Sequence, residues 1–103
     1  MCFENRKYYR KPICSHGKCF AAGDAAGGAS VKMVDISWGG MRFIKIDGKP
    51  LQLNEEIKVS FPLGVDTVFC VASVDNIHNE YIGAKLISLD QYSKKVLEFF
   101  LFP

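Results

Sequence analysis

Short apolar segments recur along the chain at intervals of roughly a dozen residues and are separated by turn-forming residues. The alternation is clearest where Ile57, Val59 and Phe61 alternate with Lys58 and Ser60. With a period of two residues, one set of side chains faces the core and the other faces water, as a half-buried β-strand requires. The pattern predicts six strands, over Ile13–Ala22, Ala29–Ser37, Met41–Ile46, Glu56–Pro62, Thr67–Asn76 and Glu80–Ile87.

The segments between these strands contain the residues that form tight turns. Gly23-Asp24 and Gly27-Gly28 bound residues 23–28, Asp47-Gly48 and Leu63-Gly64 follow two of the strands, and asparagines bound residues 76–79. Connections this short favour antiparallel pairing of successive strands. Six antiparallel strands in a chain of 103 residues favour closure into a small barrel, because closure removes exposed strand edges. We therefore predict an all-β fold, a six-stranded antiparallel β-barrel.

The end of the chain changes to a helical period. Asp90 is placed to act as an N-cap, and Tyr92, Val96, Phe99 and Phe100 then fall on one face of a helix. This pattern predicts a C-terminal amphipathic helix that lies on the sheet with that face and covers one end of the barrel. The residues expected on its solvent face are Lys94, Lys95 and Glu98.

Composition is that of an ordinary globular domain, with 49% hydrophobic and 23% charged residues. No uncharged apolar stretch reaches the ~18 residues of a membrane span, and the N-terminus has no apolar run typical of a signal peptide. We therefore expect no membrane insertion and a cytoplasmic location. In that compartment Cys2, Cys14, Cys19 and Cys70 are expected to be reduced thiols that fill the core.

Positive charge is concentrated at the start of the chain. The formal net charge is +2, but residues 1–20 carry five basic residues against Glu4 alone. A net charge this small is insufficient for the sequence-independent phosphate binding of large nucleic-acid interfaces, so no DNA or RNA partner is expected. We predict that residues 1–12 form a mobile basic segment and that residues 13–103 form the barrel and helix.

Catalytic and metal-binding patterns are weak. His16 and His78 lie in strand or turn patterns, and the spacing supports neither a Ser-His-Asp arrangement nor a pair of carboxylates. Cys14-x-His16-x-x-Cys19 contains metal-ligand types, but on a regular strand Cys14 and His16 share one face and Cys19 lies on the other. The sequence therefore predicts a protein that is not an enzyme and needs neither a metal nor a cofactor.

Two short motifs carry the candidate chemistry. Arg6-x-x-x-Arg10 places two guanidinium groups in the basic segment, and Asp35-x-Ser37-x-x-Gly40 lies within VDISWGG. Taken singly, the first is typical of a solvated charge cluster or a helix face. The second alone is typical of a turn, in which Asp and Ser cap main-chain N–H groups and the paired glycines allow positive φ.

Together, in this order and followed by the strand pattern, the two motifs resemble the PilZ family. Arg6-Lys7-Tyr8-Tyr9-Arg10 matches its RxxxR element, residues 34–41 match its DxSxxG turn, and residues 81–86 are similar to its late glycine-containing strand. The resemblance implies a six-stranded antiparallel barrel with a terminal helix, binding of the bacterial second messenger cyclic di-GMP, and no catalysis. It also implies that the arginines lie on a flexible N-terminal segment that wraps the ligand against the barrel, while the Asp/Ser turn holds one guanine.

The side-chain chemistry agrees with this ligand. Arg6 and Arg10 each carry a guanidinium that can fork onto guanine O6/N7, pair with phosphate oxygens or stack on a purine. Asp35 offers acceptors for the N1–H and N2–H₂ donors of guanine, Ser37 a rotatable hydroxyl, and Gly40 room for close backbone approach. These residues are the predicted binding site for cyclic di-GMP.

The sequence thus predicts a bacterial receptor for cyclic di-GMP, in motility or biofilm regulation, that signals to a protein partner through its N-terminal segment. One alternative is a PilZ-fold adaptor in motility or pilus machinery that binds no nucleotide. Another, weaker alternative is a small barrel that binds single-stranded nucleic acid, for which Tyr8 and Tyr9 are the candidate stacking residues. We expect Trp38 to cover the barrel mouth, with a stacking or partner-facing role as the alternative.

Overall fold

The computed structural model describes residues 10–21 and 27–102, which form six β-strands and one α-helix. Neighbouring strands are antiparallel, and the order β1-β2-β3-β6-β5-β4 closes into a barrel because β1 also pairs with β4. The predicted fold class is confirmed. The elements are β1 Lys11–Phe20, β2 Ala29–Ile36, β3 Gly40–Lys45, β4 Glu56–Leu63, β5 Asp66–His78, β6 Tyr81–Leu89 and α1 Gln91–Leu101.

The core fills the barrel interior and follows the alternation along each strand. In β4, Ile57, Val59 and Phe61 are buried while Lys58 points to solvent, as the sequence predicts. Branched and aromatic side chains supply most of the interior volume, and Phe43 is completely buried. Burial of these apolar surfaces is the main stabilising contribution to a fold of this size.

One irregularity in β2 decides which way Asp35 faces. The β2–β3 register shifts between Met33 and Asp35, which marks a β-bulge. Met33 and Ile36 are both buried in the core, so the bulge leaves Val34 and Asp35 on the outer side. In a regular strand Asp35 would share the inner face with Met33, where a carboxylate would be costly to bury.

The β5–β6 hairpin is longer than predicted. We expected a turn over residues 76–79, but β5 continues to His78, β6 begins at Tyr81, and Asn79 has a φ of 57°. The residues from Asp75 to His78 are all exposed, so this end of the hairpin projects beyond the core. Alternation disappears where neither face is buried, which is why the sequence pattern placed the turn too early.

The start of β1 also differs from the prediction. This strand begins at Lys11 rather than at Ile13, since Lys11 pairs with Ile36.

Helix α1 begins as predicted but buries a different face. Asp90 accepts a hydrogen bond from the Ser93 N–H at 2.7 Å, which confirms it as the N-cap. The buried residues are Ser93, Leu97 and Leu101, whereas Tyr92 is 61% exposed and Phe99 lies almost entirely in water. The prediction that Tyr92 and Phe99 face the sheet is therefore wrong.

The reason for this rotation is a polar contact between helix and barrel. The Ser93 hydroxyl accepts a hydrogen bond from the Phe69 N–H of β5 at 2.8 Å, and this bond fixes the side of the helix that meets the sheet. Val96 and Phe100 flank the buried stripe and pack against the core, as predicted for that pair. Because a serine lies within this apolar stripe, the pattern of hydrophobic residues alone does not identify the buried face of the helix.

The side chains of the Cys14-x-His16-x-x-Cys19 pattern face different sides of β1. Cys14 and His16 are exposed on the outer face of β1, while Cys19 is buried, and the described residues hold no group of three or more metal-ligand side chains. Cys14 is therefore not core filler, although Cys19 and Cys70 are; Cys2 lies outside the described residues. Burial raises the pKa of the Cys70 thiol to about 12. In the part of the chain that the structure describes, no helix has the length and apolar character needed to span a membrane.

Candidate functional site

A groove of about 1190 Å³ lies on the outer face of the barrel. One side is formed by the start of β1 and the turn between β2 and β3, and the other by the β5–β6 hairpin. Basic, acidic and amide side chains project into the groove, so it suits a charged, polar ligand. The lining residues are Arg10, Val34, Ser37, Gly39, Gly40, Arg42, Asp75, Asn76, His78, Tyr81, Gly83, Ala84, Lys85 and Leu86.

Asp35 lies beside this groove and binds two arginines. Its Oδ1 atom accepts from Arg10 Nη1 at 2.5 Å, and its Oδ2 atom accepts from Arg42 Nη2 at 2.6 Å. The carboxylate is buried, whereas each arginine side chain is about half exposed and lines the groove. A base edge that reached Asp35 would have to share its oxygens or displace an arginine. Taken alone, the DxSxxG motif is typical of a turn that Asp35 caps, but in the structure Asp35 forms these two ion pairs.

Ser37 closes the turn between β2 and β3. Its N–H donates to the Gly40 carbonyl at 2.8 Å, and its hydroxyl accepts from the Gly40 N–H at 3.2 Å. The turn is also tied to β6, because the Leu86 N–H donates to the Gly39 carbonyl at 3.0 Å. Ser37 is buried, so the turn is rigid on the side that faces the groove.

Gly40 is needed for close packing and not for its φ angle. Among the described residues, positive φ occurs at other glycines, so the expectation that Gly39 and Gly40 use positive φ is wrong. A Cβ atom at Gly40 would lie 2.6 Å from the Ala84 carbonyl oxygen of β6. Any side chain here would push β3 away from β6 and distort the groove between them.

A row of paired residues forms the floor of the groove. Asp35 pairs with Arg42 across β2 and β3, Arg42 with Gly83 across β3 and β6, and Gly83 with Asn76 across β6 and β5. Gly83 has no side chain, and a Cβ there would lie 3.2 Å from the Asn76 Cβ. The missing side chain leaves space between Arg42 and the hairpin.

The structure brings together four of the five predicted site residues. Arg10, Asp35, Ser37 and Gly40 lie at the same side of the groove, while Arg6 lies outside the described residues. Sequence reasoning missed Arg42. Its position between the apolar residues of GMRF indicates an outward-facing strand residue, but its pairing with Asp35 depends on the β2 bulge and could not be deduced from spacing.

Lys11, which follows the first motif, and Trp38, within the second, also contact the end of α1. Lys11, next to Arg10, donates from Nζ to the Phe100 carbonyl at 2.9 Å and lies 4.7 Å from the centre of the Phe100 ring. Trp38, inside the turn, packs edge-on against Phe102 with ring centres 6.3 Å apart. Trp38 is half-buried against the core, in agreement with a role as a hydrophobic cover.

Comparisons with known proteins address the family and the fold. A family model described as the PilZ domain matches residues 4–102. Among solved structures, the chain is similar to one described as the PilZ domain of CeSA from a cellulose-synthesizing bacterium, with a TM-score of 0.70 and 13% sequence identity. The match covers 91% of this chain and 95% of the other, and at this identity it supports the fold alone. No curated protein sequence matches the chain.

Proposed function

The chain belongs to the PilZ domain family, and on that premise we propose that it is a receptor for cyclic di-GMP. The observation that carries the proposal is the placement of Arg10 on Asp35 beside the Ser37–Gly40 turn, at the edge of a groove large enough for a dinucleotide. The role is one of binding and not of catalysis. We further propose that Arg6 joins Arg10 in contacting the ligand.

The charges at the groove support a ligand with two phosphates and two guanines. Arg10, Arg42 and Lys85 line the groove, with the carboxylates of Asp35 and Asp75 beside or within it. Guanidinium groups recognise both phosphate oxygens and the O6/N7 edge of guanine, and carboxylates accept from guanine N–H donors. A ligand that offers both kinds of group uses both signs of charge.

We propose that the signal leaves the site through the segments that carry the motifs. In this proposal the segment that precedes β1 rearranges around the ligand, and the change reaches a protein partner in the bacterial cytoplasm, in motility or biofilm regulation. The contacts of Lys11 with Phe100 and of Trp38 with Phe102 support a route from the site to the end of α1. Neither DNA, RNA nor a membrane is part of the proposal.

Calorimetric titration with cyclic di-GMP tests the binding. We expect saturable binding to the wild-type protein, and losses of at least about tenfold in affinity for Arg6→Ala and Arg10→Ala, because each removes a charge-assisted contact. Lys58→Ala is the matched control, since Lys58 is an exposed cation on β4 outside the groove. GTP and a single-stranded oligonucleotide serve as competing ligands. Absence of cyclic di-GMP binding to the wild-type protein, or equal binding of the oligonucleotide, would overturn the proposal.

A further inference from the structure

Arg42 occupies a position on β3 that directs its side chain out of the barrel. Its neighbours Met41 and Phe43 are completely buried, so Arg42 must point to the opposite side. Its strand partners are Asp35 on one side and Gly83 on the other. The side chain therefore lies at the floor of the groove, with its guanidinium bound to Asp35.

The ion pair of Arg42 mirrors that of Arg10. Each arginine uses one terminal nitrogen on one oxygen of Asp35, at 2.6 Å and 2.5 Å, and each side chain is 51% exposed. A guanidinium has five N–H donors, so the contact with Asp35 leaves donors that can reach a ligand. Asp35 thus holds two equivalent guanidinium groups at the edge of one groove, although only Arg10 belongs to a motif.

The shared carboxylate also explains how two cations can stand close together. Asp35 offsets the repulsion between Arg10 and Arg42, but the three groups together keep one positive charge, which is available to an anion. Because each arginine side chain is already held in place, a contact with a ligand costs less side-chain conformational entropy. This arrangement suits a preorganised clamp for an anion or for the edge of a base.

We propose that Arg42 is a third arginine of the binding site and donates two N–H groups to one pair of neighbouring acceptors on the ligand. Guanine O6/N7 and the two free oxygens of a phosphate diester both present such a pair. In this arrangement Asp35 is a positioning residue for Arg42 as well as for Arg10. The inference rests on the proposed function and adds to it a residue outside both motifs.

The test compares Arg42→Ala and Arg42→Lys with wild-type protein and with Lys58→Ala, by calorimetric titration with cyclic di-GMP. We expect Arg42→Ala to lose at least about tenfold in affinity and Lys58→Ala to keep wild-type affinity. Arg42→Lys keeps the positive charge beside Asp35 but loses the fork, so it should still bind at least about fivefold more weakly than wild type. Circular dichroism and urea unfolding establish that each variant is folded.

The outcomes separate this inference from the proposed function. If wild-type protein binds and Arg42→Ala binds equally well, Arg42 is not part of the site. If Arg42→Lys restores full affinity, Arg42 supplies charge alone and the forked contact is overturned. A further titration with cyclic di-AMP identifies the acceptor, because adenine has no O6. Equal fold-losses for both dinucleotides indicate a phosphate, and a loss confined to cyclic di-GMP indicates guanine. Failure of wild-type protein to bind cyclic di-GMP overturns the proposed function itself.

Discussion

Asp35 retains only 6% of its surface exposed, while both arginines that it binds are half in water. This difference in burial makes the three groups unequal in their effect on folding. An arginine that loses Asp35 can be solvated again at little cost, because ion pairs at the surface contribute about 1 kcal/mol or less each. A buried carboxylate that loses both arginines has no such alternative and retains the cost of its desolvation.

We therefore expect Asp35→Ala to lower the free energy of unfolding by about 1–2 kcal/mol. The double variant Arg10→Ala/Arg42→Ala should lower it by more, about 3 kcal/mol, since it leaves the carboxylate without either partner. Urea unfolding at neutral pH measures both. A larger loss for Asp35→Ala than for the double variant would contradict the unequal roles assigned to these residues.

The buried thiol of Cys70 makes the free energy of unfolding depend on pH in the alkaline range. Its folded-state pKa is raised to about 12, mainly by burial, from a value of 9.0 in the unfolded chain. Because the folded state holds the proton more tightly, its contribution to stability is complete below pH 9 and is lost as the pH rises toward 12. Between pH 7.5 and pH 10, wild-type protein should lose about 1 kcal/mol more unfolding free energy than Cys70→Ala. Equal losses in the two proteins would show that the thiol is not shielded.

At the scale of elements, the strands could be predicted where one face is buried and the other is not. Alternation located β4 to within one residue, but it failed at the tip of the β5–β6 hairpin, where both faces are exposed. The same limit applies to the prediction of the site. Motif spacing identified Arg10 and Asp35, but the contact of Asp35 with Arg42 follows from a bulge that shifts the strand register by one residue, and nothing in the residue types of β2 marks that bulge.

The helix offers a direct comparison of the expected and the observed face. Leu97→Ala should lower the free energy of unfolding by about 2–4 kcal/mol, because Leu97 is fully buried in the barrel core. Phe99→Ala, which removes a larger apolar side chain from a site that is 77% exposed, should change it by less than about 0.5 kcal/mol. Thermal or urea unfolding of the two variants decides between the faces, and a cost for Phe99→Ala equal to that of Leu97→Ala would restore the sequence-based prediction.

At the scale of the whole molecule, the groove and the end of α1 are parts of one connected structure. β1 begins at Lys11 with a hydrogen bond to α1, and the turn after β2 carries Trp38. Arg10 precedes Lys11 in the chain, Ser37 and Gly39 flank Trp38, and all three line the groove. A ligand held by Arg10 therefore restrains Lys11 through the chain, and a ligand held by the Ser37–Gly40 turn restrains Trp38. The last turn of α1 is the described element most directly coupled to both.

Amide hydrogen exchange with and without cyclic di-GMP measures this coupling. We expect exchange in the last turn of α1 and its C-cap, residues 98–102, to slow by at least about fivefold on binding, which is the lower range of coupling between two sites. Residues 1–9 should also gain protection under the proposed rearrangement, while the interior residues of β4 should change little.

Lys11→Met keeps most of the aliphatic stem of Lys11 but removes the donor to the Phe100 carbonyl. This variant should retain affinity to within a few fold, because Lys11 does not line the groove, yet lose most of the ligand effect on α1. Lys94→Met, on the exposed side of the helix, is the matched control and should respond as wild type does. If the wild-type helix end exchanges at the same rate with and without bound ligand, the signal does not pass through α1, whatever the affinity. If it slows equally in Lys11→Met, the hydrogen bond from Lys11 does not carry the effect of the ligand to α1.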